Sequence, residues 1–388
     1  MILPRVRPRA VRRVVATLLG VSAFSFALTG CQPPASLTVT DHITGLNRPW
    51  DIAFAPDGTL LYTLRPGGVN GGIYGFIAGV KTRFAGQPAD LINLGEGGMM
   101  GLAVDPAFAS NRRIYACFLT NAGNFNGRSV RVARFELDAG YTTLSNRADI
   151  VTNIPVNTGV QAGRHSGCRP RFGPDGNLWI GTGDAATGTN PQDKQSLGGK
   201  VLRVDTAGNG VAGNPGVDTP ASGFLPQIYT YGHRNLQGIA FRPTDGQAFS
   251  TEHGTACDDE MNLLVAGANY GWDPVPGYDE SQPMTDLVKF PAAKPAIWSS
   301  GCPTIAPSGL VFTSGSQWAG WNNNPSMAVL KGTELHSFIL DGSNGIYRQD
   351  SNITDQGRLR SAVQGPDGNL YITTDSATGK IIKVVPTP

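Results

Sequence analysis

The chain has 388 residues, of which 40% are hydrophobic, and its formal net charge at neutral pH is +2. This composition is typical of a globular protein with a sizeable core, and no run of Lys and Arg is interleaved with aromatic residues as in nucleic-acid-binding proteins. The 51 glycines and 28 prolines exceed average usage. We therefore expect a turn-rich globular fold and no nucleic-acid partner.

The first thirty residues are predicted to form a secretory signal peptide. They contain five arginines and no acidic residue, followed by an apolar stretch over residues 14–28 that is too short for a membrane span. Residues 28–31, Leu-Thr-Gly-Cys, resemble the cleavage box of bacterial lipoproteins. Cys31 is therefore expected to carry a lipid anchor at the start of a tether, residues 31–40, although an ordinary signal peptide with an incidental cysteine is the alternative.

Removal of this signal peptide reverses the sign of the net charge. Taking its five arginines from 31 basic residues leaves 26 against 29 acidic residues, a net charge of −3. We expect an exported protein of the cell envelope or periplasm, whose membrane contact is made only through the anchor at Cys31.

Four further cysteines indicate disulfide bonds, because their number is even and the predicted compartment is oxidising. They are Cys117, Cys168, Cys257 and Cys302. Their spacing does not suggest a zinc site. Three pairings are possible; a bridge between Cys257 and Cys302 is preferred, and the others stay open.

A repeated hairpin is the main fold signal in the rest of the chain. Each copy has a short apolar strand, a turn built from Pro, Asp or Gly, and a second strand rich in aromatic, Ile and Thr residues. The six copies start near Asp51, Gly101, Cys168, Gly238, Ser308 and Arg360. This repeat predicts an all-β, six-bladed β-propeller as a single domain over residues 41–388. The alternative, a β-sandwich, does not repeat its turn chemistry at such intervals.

Polar, glycine-rich segments lie between the hairpins, where a propeller brings the loops of all blades to a central channel. They are residues 95–101, 163–169, 232–238, 252–264, 269–272, 330–332 and 357–360. Taken in order, these segments resemble the glucose/sorbosone dehydrogenase family of pyrroloquinoline quinone (PQQ) enzymes over residues 45–384. The resemblance implies a quinoprotein sugar dehydrogenase with bound PQQ and Ca²⁺.

The resemblance places the catalytic pair at His165 and Asp184. A histidine, with an ordinary pKa near ~6.5, accepts an alcohol proton at neutral pH. Asp184 lies at the far end of the same predicted hairpin, where it is expected to hold the second ring nitrogen of His165. An aspartate of a turn is the alternative for Asp184.

The resemblance also implies a cofactor site made of cations and polar side chains, because PQQ carries three carboxylates. Its members are Glu96, Arg234, Asn235, Lys331, Arg358 and Arg360. A solvated loop acid is the alternative for Glu96, and a solvated surface pair is the alternative for Arg358 and Arg360.

Calcium is implied by the same resemblance, with the backbone carbonyl groups of Gly254 and Thr255 as protein ligands. The family has Gly-Pro at this point, and the change to Thr255 removes the fixed φ of the proline from this loop. Asp259 is expected to pair with Arg234, unless residues 258–260 form a solvated acidic turn. Residues 277–280 resemble a stretch where some members bind a second calcium.

The function implied is the oxidation of an aldose at C1 to a lactone. His165 would take the proton of the anomeric hydroxyl while hydride passes to the calcium-bound quinone. A soluble or membrane electron acceptor would then reoxidise the reduced quinone. A six-bladed lactonase or esterase and a non-catalytic binding propeller are the alternatives, since a fold alone does not decide function.

Overall fold

The structure is a computed structural model, and it describes residues 32–387. The predicted signal peptide and the lipid anchor at Cys31 lie outside the described residues. Within residues 32–387, no helix is long and apolar enough to cross a membrane.

The described residues form six four-stranded antiparallel sheets, which are the blades of a β-propeller. Blades 1 to 3 contain β2 (Pro49–Phe54), β3 (Leu60–Leu64), β4 (Gly72–Ile77), β5 (Val80–Arg83), β6 (Met99–Val104), β7 (Arg113–Phe125), β8 (Arg128–Leu137), β9 (Leu144–Ile154), β10 (Arg169–Phe172), β11 (Leu178–Gly181), β12 (Lys200–Val204) and β13 (Ile228–Tyr231). Blades 4 to 6 contain β14 (Leu236–Phe241), β15 (Ala248–Glu252), β16 (Glu260–Leu263), β17 (Trp298–Ser299), β18 (Pro307–Phe312), β19 (Pro325–Val329), β20 (Leu335–Leu340), β21 (Ile346–Asn352), β22 (Leu359–Gln364), β23 (Leu370–Thr374), β24 (Gly379–Thr387) and β1 (Ser36–Leu46). Two short α-helices and three 3₁₀-helices lie in the connections: α1 (Phe108–Asn111), α2 (Pro215–Asp218), Gly68–Asn70, Pro220–Ser222 and Ser316–Trp321.

The first strand of each blade contacts the first strand of the next, and β22 contacts β2, so the ring is closed. All six predicted hairpins are confirmed as the first two strands of their blades. The copy near Ser308 has a weak sequence signal because a 3₁₀-helix, Ser316–Trp321, replaces the tight turn between β18 and β19. Its buried Trp318 and Trp321 fill the space under this insertion.

Closure depends on the N-terminal strand, which belongs to the last blade. β1 pairs antiparallel with β24, with Ser36 opposite Thr387 and Val39 opposite Val384. The predicted tether over residues 31–40 is therefore wrong from Ser36 onward, because these residues supply the outer strand that blade 6 lacks. Hydrogen bonds between the first and last strands of the described residues thus help to close the ring.

The apolar core consists of six clusters, and each cluster lies between two adjacent blades. Blades 1 and 2 share one cluster, for example, through Leu61 and Leu102, and blades 5 and 6 share another through Leu335 and Ile372. Each sheet thus buries its faces against its neighbours, so no blade completes its core alone.

Two disulfides pair all four cysteines of the described region. Cys257 bonds to Cys302, which confirms the preferred pairing, and Cys117 bonds to Cys168. The Cys257–Cys302 bridge links the loop between β15 and β16 of blade 4 to the connection between β17 and β18. The Cys117–Cys168 bridge links β7 of blade 2 to the residue before β10 of blade 3.

A buried ion cluster joins the innermost strands of the ring. The Asp51 carboxylate contacts the guanidinium groups of Arg169 at 2.7 Å and Arg171 at 2.8 Å. It also accepts hydrogen bonds from the Leu102 amide at 2.9 Å and the Ser361 hydroxyl at 2.8 Å. Burial alone would raise the pKa of Asp51, but the charges of Arg169 and Arg171 outweigh it and hold the pKa at about 2. One carboxylate thereby connects blades 1, 2, 3 and 6.

Replacing Asp51 with Asn is expected to lower the free energy of unfolding by about 3–5 kcal/mol, because two guanidinium groups lose their counter-charge in the interior. Urea unfolding followed by tryptophan fluorescence measures the change. The matched control is Asp41→Asn, which removes an exposed contact to Lys380 and should change stability by less than about 1 kcal/mol. Equal effects of the two substitutions would contradict the assignment. The lowered pKa also means that this stabilisation is present above the ordinary aspartate range and is lost as the pH falls towards about 2.

Candidate active site

The predicted site residues lie next to the innermost strands, at the end of the channel where these strands begin. His165 precedes β10, Asn235 immediately precedes β14, and Arg358 immediately precedes β22. Because all six blades have the same strand order, the starts of their first strands meet at one end of the ring. Side chains that are far apart in the sequence are therefore close in space.

His165 and Asp184 form a buried pair, with Nδ1 of the imidazole 2.8 Å from Oδ1 of the carboxylate. The exposed fraction is 3% for His165 and 0% for Asp184. The backbone of His165 has a φ of 53°, in the left-handed region that residues other than glycine rarely adopt. Such conformations are concentrated at functional sites, where the surrounding structure holds them.

Asp184 accepts further hydrogen bonds that the sequence did not indicate. Its Oδ2 accepts from Trp272 Nε1 and from the Tyr278 hydroxyl, both at 2.8 Å, and its Oδ1 accepts from the Ala186 amide at 2.7 Å. The Tyr278 oxygen is also 3.0 Å from Nδ1 of His165. Trp272 and Tyr278 follow Asp184 by more than 80 residues, so no local spacing connects them to it.

Backbone and amide contacts connect this pair to other predicted residues. Oε2 of Glu96 accepts the His165 amide at 3.1 Å and lies 3.4 Å from Nδ2 of Asn235. The Asp184 amide donates to the Arg234 carbonyl at 2.8 Å. Glu96, Arg234 and Asn235 thus lie beside the His165–Asp184 pair.

The remaining predicted cations come from blades 5 and 6. Arg360 donates two hydrogen bonds to Oδ2 of Asp375, at 2.6 and 3.1 Å. Burial would raise the pKa of Asp375, but the charge of Arg360 and its hydrogen bonds lower it. Arg358 donates to the Leu330 carbonyl at 3.3 Å, which brings it beside Lys331. Arg358 and Lys331 are exposed, whereas Arg360 is half-buried.

The expected pairing of Asp259 with Arg234 is wrong. Asp259 is fully buried and accepts hydrogen bonds from the Gly254 amide at 2.9 Å, the Ile305 amide at 2.6 Å and the Ala306 amide at 2.9 Å. A buried carboxylate requires such donors, and the loop of residues 301–306 supplies two of them next to the Cys257–Cys302 bridge. The solvated acidic turn is also wrong, because in residues 258–260 only the first is exposed.

Glu280 is the carboxylate that contacts Arg234. It forms ion pairs with Arg234 and with Arg164, the latter at 2.6 Å. Burial raises the pKa of Glu280, but the hydrogen bonds from Arg164 and Arg234 prevail and lower it. The Glu280 carboxylate is therefore bonded to two guanidinium groups, and it is not free to ligate the suggested second calcium.

The loop predicted to bind calcium is tightly wound around Gly254. A Cβ at this position would lie 2.1 Å from the Cys257 carbonyl oxygen, so only glycine fits. The preceding residue, His253, connects the loop to the site. Its backbone amide donates to the Asn235 carbonyl at 3.1 Å, and its carbonyl accepts from the Arg234 guanidinium at 3.1 Å. Within residues 32–387, the buried Nε of Arg234 and Nε2 of His253 have no hydrogen-bond partner.

Comparison with known proteins agrees with this fold. The chain is 28% identical over 361 residues to an aldose sugar dehydrogenase of Escherichia coli, covering 91% of this chain and 94% of that protein. It is 27% identical over 421 residues to quinoprotein glucose dehydrogenase B of Acinetobacter calcoaceticus, covering 86% and 84%. The solved PQQ-bound form of an aldose sugar dehydrogenase from Streptomyces coelicolor matches with a TM-score of 0.73 at 28% identity, over 91% of this chain and 99% of that one. The profile of the Glucose / Sorbosone dehydrogenase family covers residues 46–383, and the chain therefore belongs to this family.

Proposed function

We propose that this protein is a PQQ-dependent dehydrogenase that oxidises aldose sugars at C1 to lactones. The observation that carries the proposal is the buried His165–Asp184 pair, which lies beside a group of cations at one end of the channel. Family membership supports it, as does the likeness to a quinoprotein glucose dehydrogenase and to a PQQ-bound sugar dehydrogenase.

The side chains of the site fit a planar ligand with three carboxylates. Arginine forks pair carboxylates with two hydrogen bonds, and lysine adds a compact charge. The buried Nε of Arg234 has no partner within residues 32–387, and Lys331 and Arg358 expose their charges. We propose that PQQ is held by Glu96, Arg234, Asn235, Lys331, Arg358 and Arg360.

The proposed calcium ligands are the carbonyl oxygens of Gly254 and Thr255, which are hard donors of the kind that Ca²⁺ prefers. The Asp259 carboxylate supports this loop by accepting amide hydrogen bonds, and the Cys257–Cys302 bridge closes it. When bound, the calcium–quinone unit supplies the acceptor for the hydride from the sugar C1.

His165 is proposed to act as the general base. Asp184 accepts the hydrogen bond from Nδ1, at 2.8 Å, which leaves the lone pair of the imidazole on Nε2. That atom makes no hydrogen bond within the described residues and is the proposed acceptor of the hydroxyl proton. The electrons then leave through a soluble or membrane electron acceptor.

The rival lactonase or esterase needs a calcium cage of carboxylate and amide oxygens on the channel axis. In this protein the Asp51 carboxylate of the innermost strands is bonded to two arginines and is not free to ligate a calcium ion there. A binding propeller without catalysis has no need for a buried base held by a carboxylate. The dehydrogenase is therefore the better account of the site.

Export and anchoring through Cys31 are part of the proposal. The two disulfides of the described region support an oxidising compartment, because cytosolic thiols stay reduced.

The His165→Gln variant is expected to lose dye reduction with glucose or another aldose by about 10²–10⁴-fold, the usual contribution of general acid–base catalysis. Apoprotein is loaded with PQQ and CaCl₂ and assayed against a panel of aldoses, and bound quinone is quantified by absorbance. Quinone binding should persist. His336→Gln is the matched control, since His336 lies in blade 5 with Glu334 as its partner. Undiminished activity of His165→Gln would exclude the proposed base.

Replacing Lys331 with Ala tests the cation site, because this exposed side chain contributes charge without supporting the fold. The affinity of apoprotein for PQQ should fall roughly 10-fold, the effect of losing one charge-assisted hydrogen bond. Fluorescence titration measures it. The control is Lys81→Ala, on the outer strand of blade 1. An unchanged dissociation constant would remove Lys331 from the quinone site.

Chelation tests the metal. Exhaustive dialysis of the loaded enzyme against EGTA should abolish dye reduction, and CaCl₂ should restore it better than MgCl₂, because Mg²⁺ demands stricter octahedral geometry. Metal analysis of the dialysed protein accompanies the assay. Full activity in protein shown to contain no calcium would refute this part of the proposal.

A further inference from the structure

A single loop covers the catalytic pair and both arginines beside it. This loop, residues 269–280, lies between β16 and β17 of blade 4. Hydrogen bonds fix its first part to blade 3, from Gln192 to Asn269 at 3.0 Å and from the Trp272 amide to the Gly232 carbonyl at 2.9 Å. Its far part carries Tyr278 to the imidazole and Glu280 to the two guanidinium groups.

We propose that Tyr278 is a positioning residue for proton transfer: its hydroxyl joins Asp184 to His165 and holds the imidazole with Nε2 available to the substrate. This inference rests on the proposed function, because it concerns how the proposed base is held. It assigns a role to a residue that the sequence connected only with a second calcium.

The geometry defines how the protons are shared. The Tyr278 oxygen is 2.8 Å from Oδ2 of Asp184 and 3.0 Å from Nδ1 of His165, while Nδ1 is 2.8 Å from Oδ1. A hydroxyl has one proton, and a carboxylate only accepts, so this proton points to Oδ2. The lone pairs of the hydroxyl then face Nδ1, which must carry its own proton. The opposite tautomer would place the Nδ1 lone pair against Oδ1 of Asp184.

Tyr278 stays a donor throughout the working pH range. Burial is the main cause that raises its pKa, and the charge of Asp184 and their hydrogen bond raise it further. Arg234 and Arg164 act in the opposite direction but do not prevail.

The other charged groups near the imidazole of His165 form no hydrogen bond with its ring nitrogens within residues 32–387. Glu96 accepts from the backbone amide of His165. Arg164, the preceding residue, has its guanidinium carbon 5.7 Å from the centre of the Tyr278 ring. Arg164 and Arg234 share Glu280 as counter-charge. Asp184 and Tyr278 therefore dominate the polar environment of Nδ1.

A comparison with Trp272 distinguishes the two contacts of the Tyr278 hydroxyl, its hydrogen bond to Asp184 and its contact with the imidazole of His165. Trp272 Nε1 and the Tyr278 hydroxyl donate to the same carboxylate oxygen at the same distance of 2.8 Å. Only Tyr278 also reaches the imidazole. A shift of the acid limb, which acts through Asp184, should appear in Trp272→Phe as well as in Tyr278→Phe, whereas the fall in kcat/KM at the optimum, which reflects the ring orientation, should appear only in Tyr278→Phe.

The test is Tyr278→Phe in the loaded enzyme, with kcat/KM for an aldose measured across pH. We expect kcat/KM to fall about 10-fold at the optimum, and the acid limb to move up by about 0.5–1 pH unit. The sign follows from Asp184: without the hydroxyl donor, its negative charge stabilises protonated His165 more strongly and raises that pKa. PQQ affinity should not change.

The matched control is Tyr115→Phe, which removes another buried hydroxyl that donates to an aspartate, Asp105, at 2.9 Å in blade 2. It should leave kcat/KM and the pH profile unchanged, although it removes the same chemical group. A loss of folding alone would reduce the amount of active enzyme without moving the acid limb. An unmoved limb together with unchanged kcat/KM in Tyr278→Phe would overturn the proposal.

A second measurement does not depend on turnover. Titration of ¹⁵N-labelled histidine by NMR, with the His165 signal identified through His165→Gln, reports the imidazole in substrate-free protein. The His165 pKa should be higher in Tyr278→Phe than in the wild type, and an identical titration would overturn the proposal. If the wild type oxidises no aldose but the NMR shift is present, the proposed function fails while the contact of Tyr278 with the His165–Asp184 pair stands.

Discussion

The closed ring depends on the antiparallel pairing of β1 with β24 at the two ends of the described chain. Each blade completes its apolar core only with a neighbour on both sides. Without β1, blade 6 would lose its outer strand, and this blade carries Arg360 and Asp375 at the channel. The site draws residues from several blades, so its geometry requires the ring to be closed. The pairing of β1 with β24 at the periphery therefore contributes to the geometry at the centre.

The ion cluster around Asp51 connects the closed ring to the segment that contains His165. Arg169 follows His165 by four residues and contacts the Asp51 carboxylate at 2.7 Å. Its Nε donates to the Gln237 carbonyl at 2.8 Å, and its guanidinium lies 4.1 Å from the ring centre of Trp50. The segment that carries the proposed base is thus bonded to blades 1 and 4 through one buried guanidinium. The same contacts that stabilise the fold limit the movement of the histidine.

Charge at the mouth of the channel is balanced by a small number of carboxylates. Asp375 pairs with Arg360, and Glu280 serves both Arg164 and Arg234. The buried Nε of Arg234 remains without a partner in the described part of the chain. An excess of donors in a partly buried site favours an anionic ligand, because unpaired buried polar groups are unfavourable. Stability of the site and affinity for the proposed quinone therefore depend on the same residues.

The sequence by itself determined the six blades, because the turn chemistry of each hairpin is local and recurs along the chain. Through the resemblance of its motifs to a known family it also indicated His165 and Asp184, which one hairpin brings together. Only the tertiary structure decided the partners of these groups: Tyr278 for the imidazole, Glu280 for Arg234, and backbone amides for Asp259. These contacts join segments that are distant in the sequence, and no periodicity records them. They exist because closing the ring brings loops of different blades into one volume, where each buried charge must find a partner.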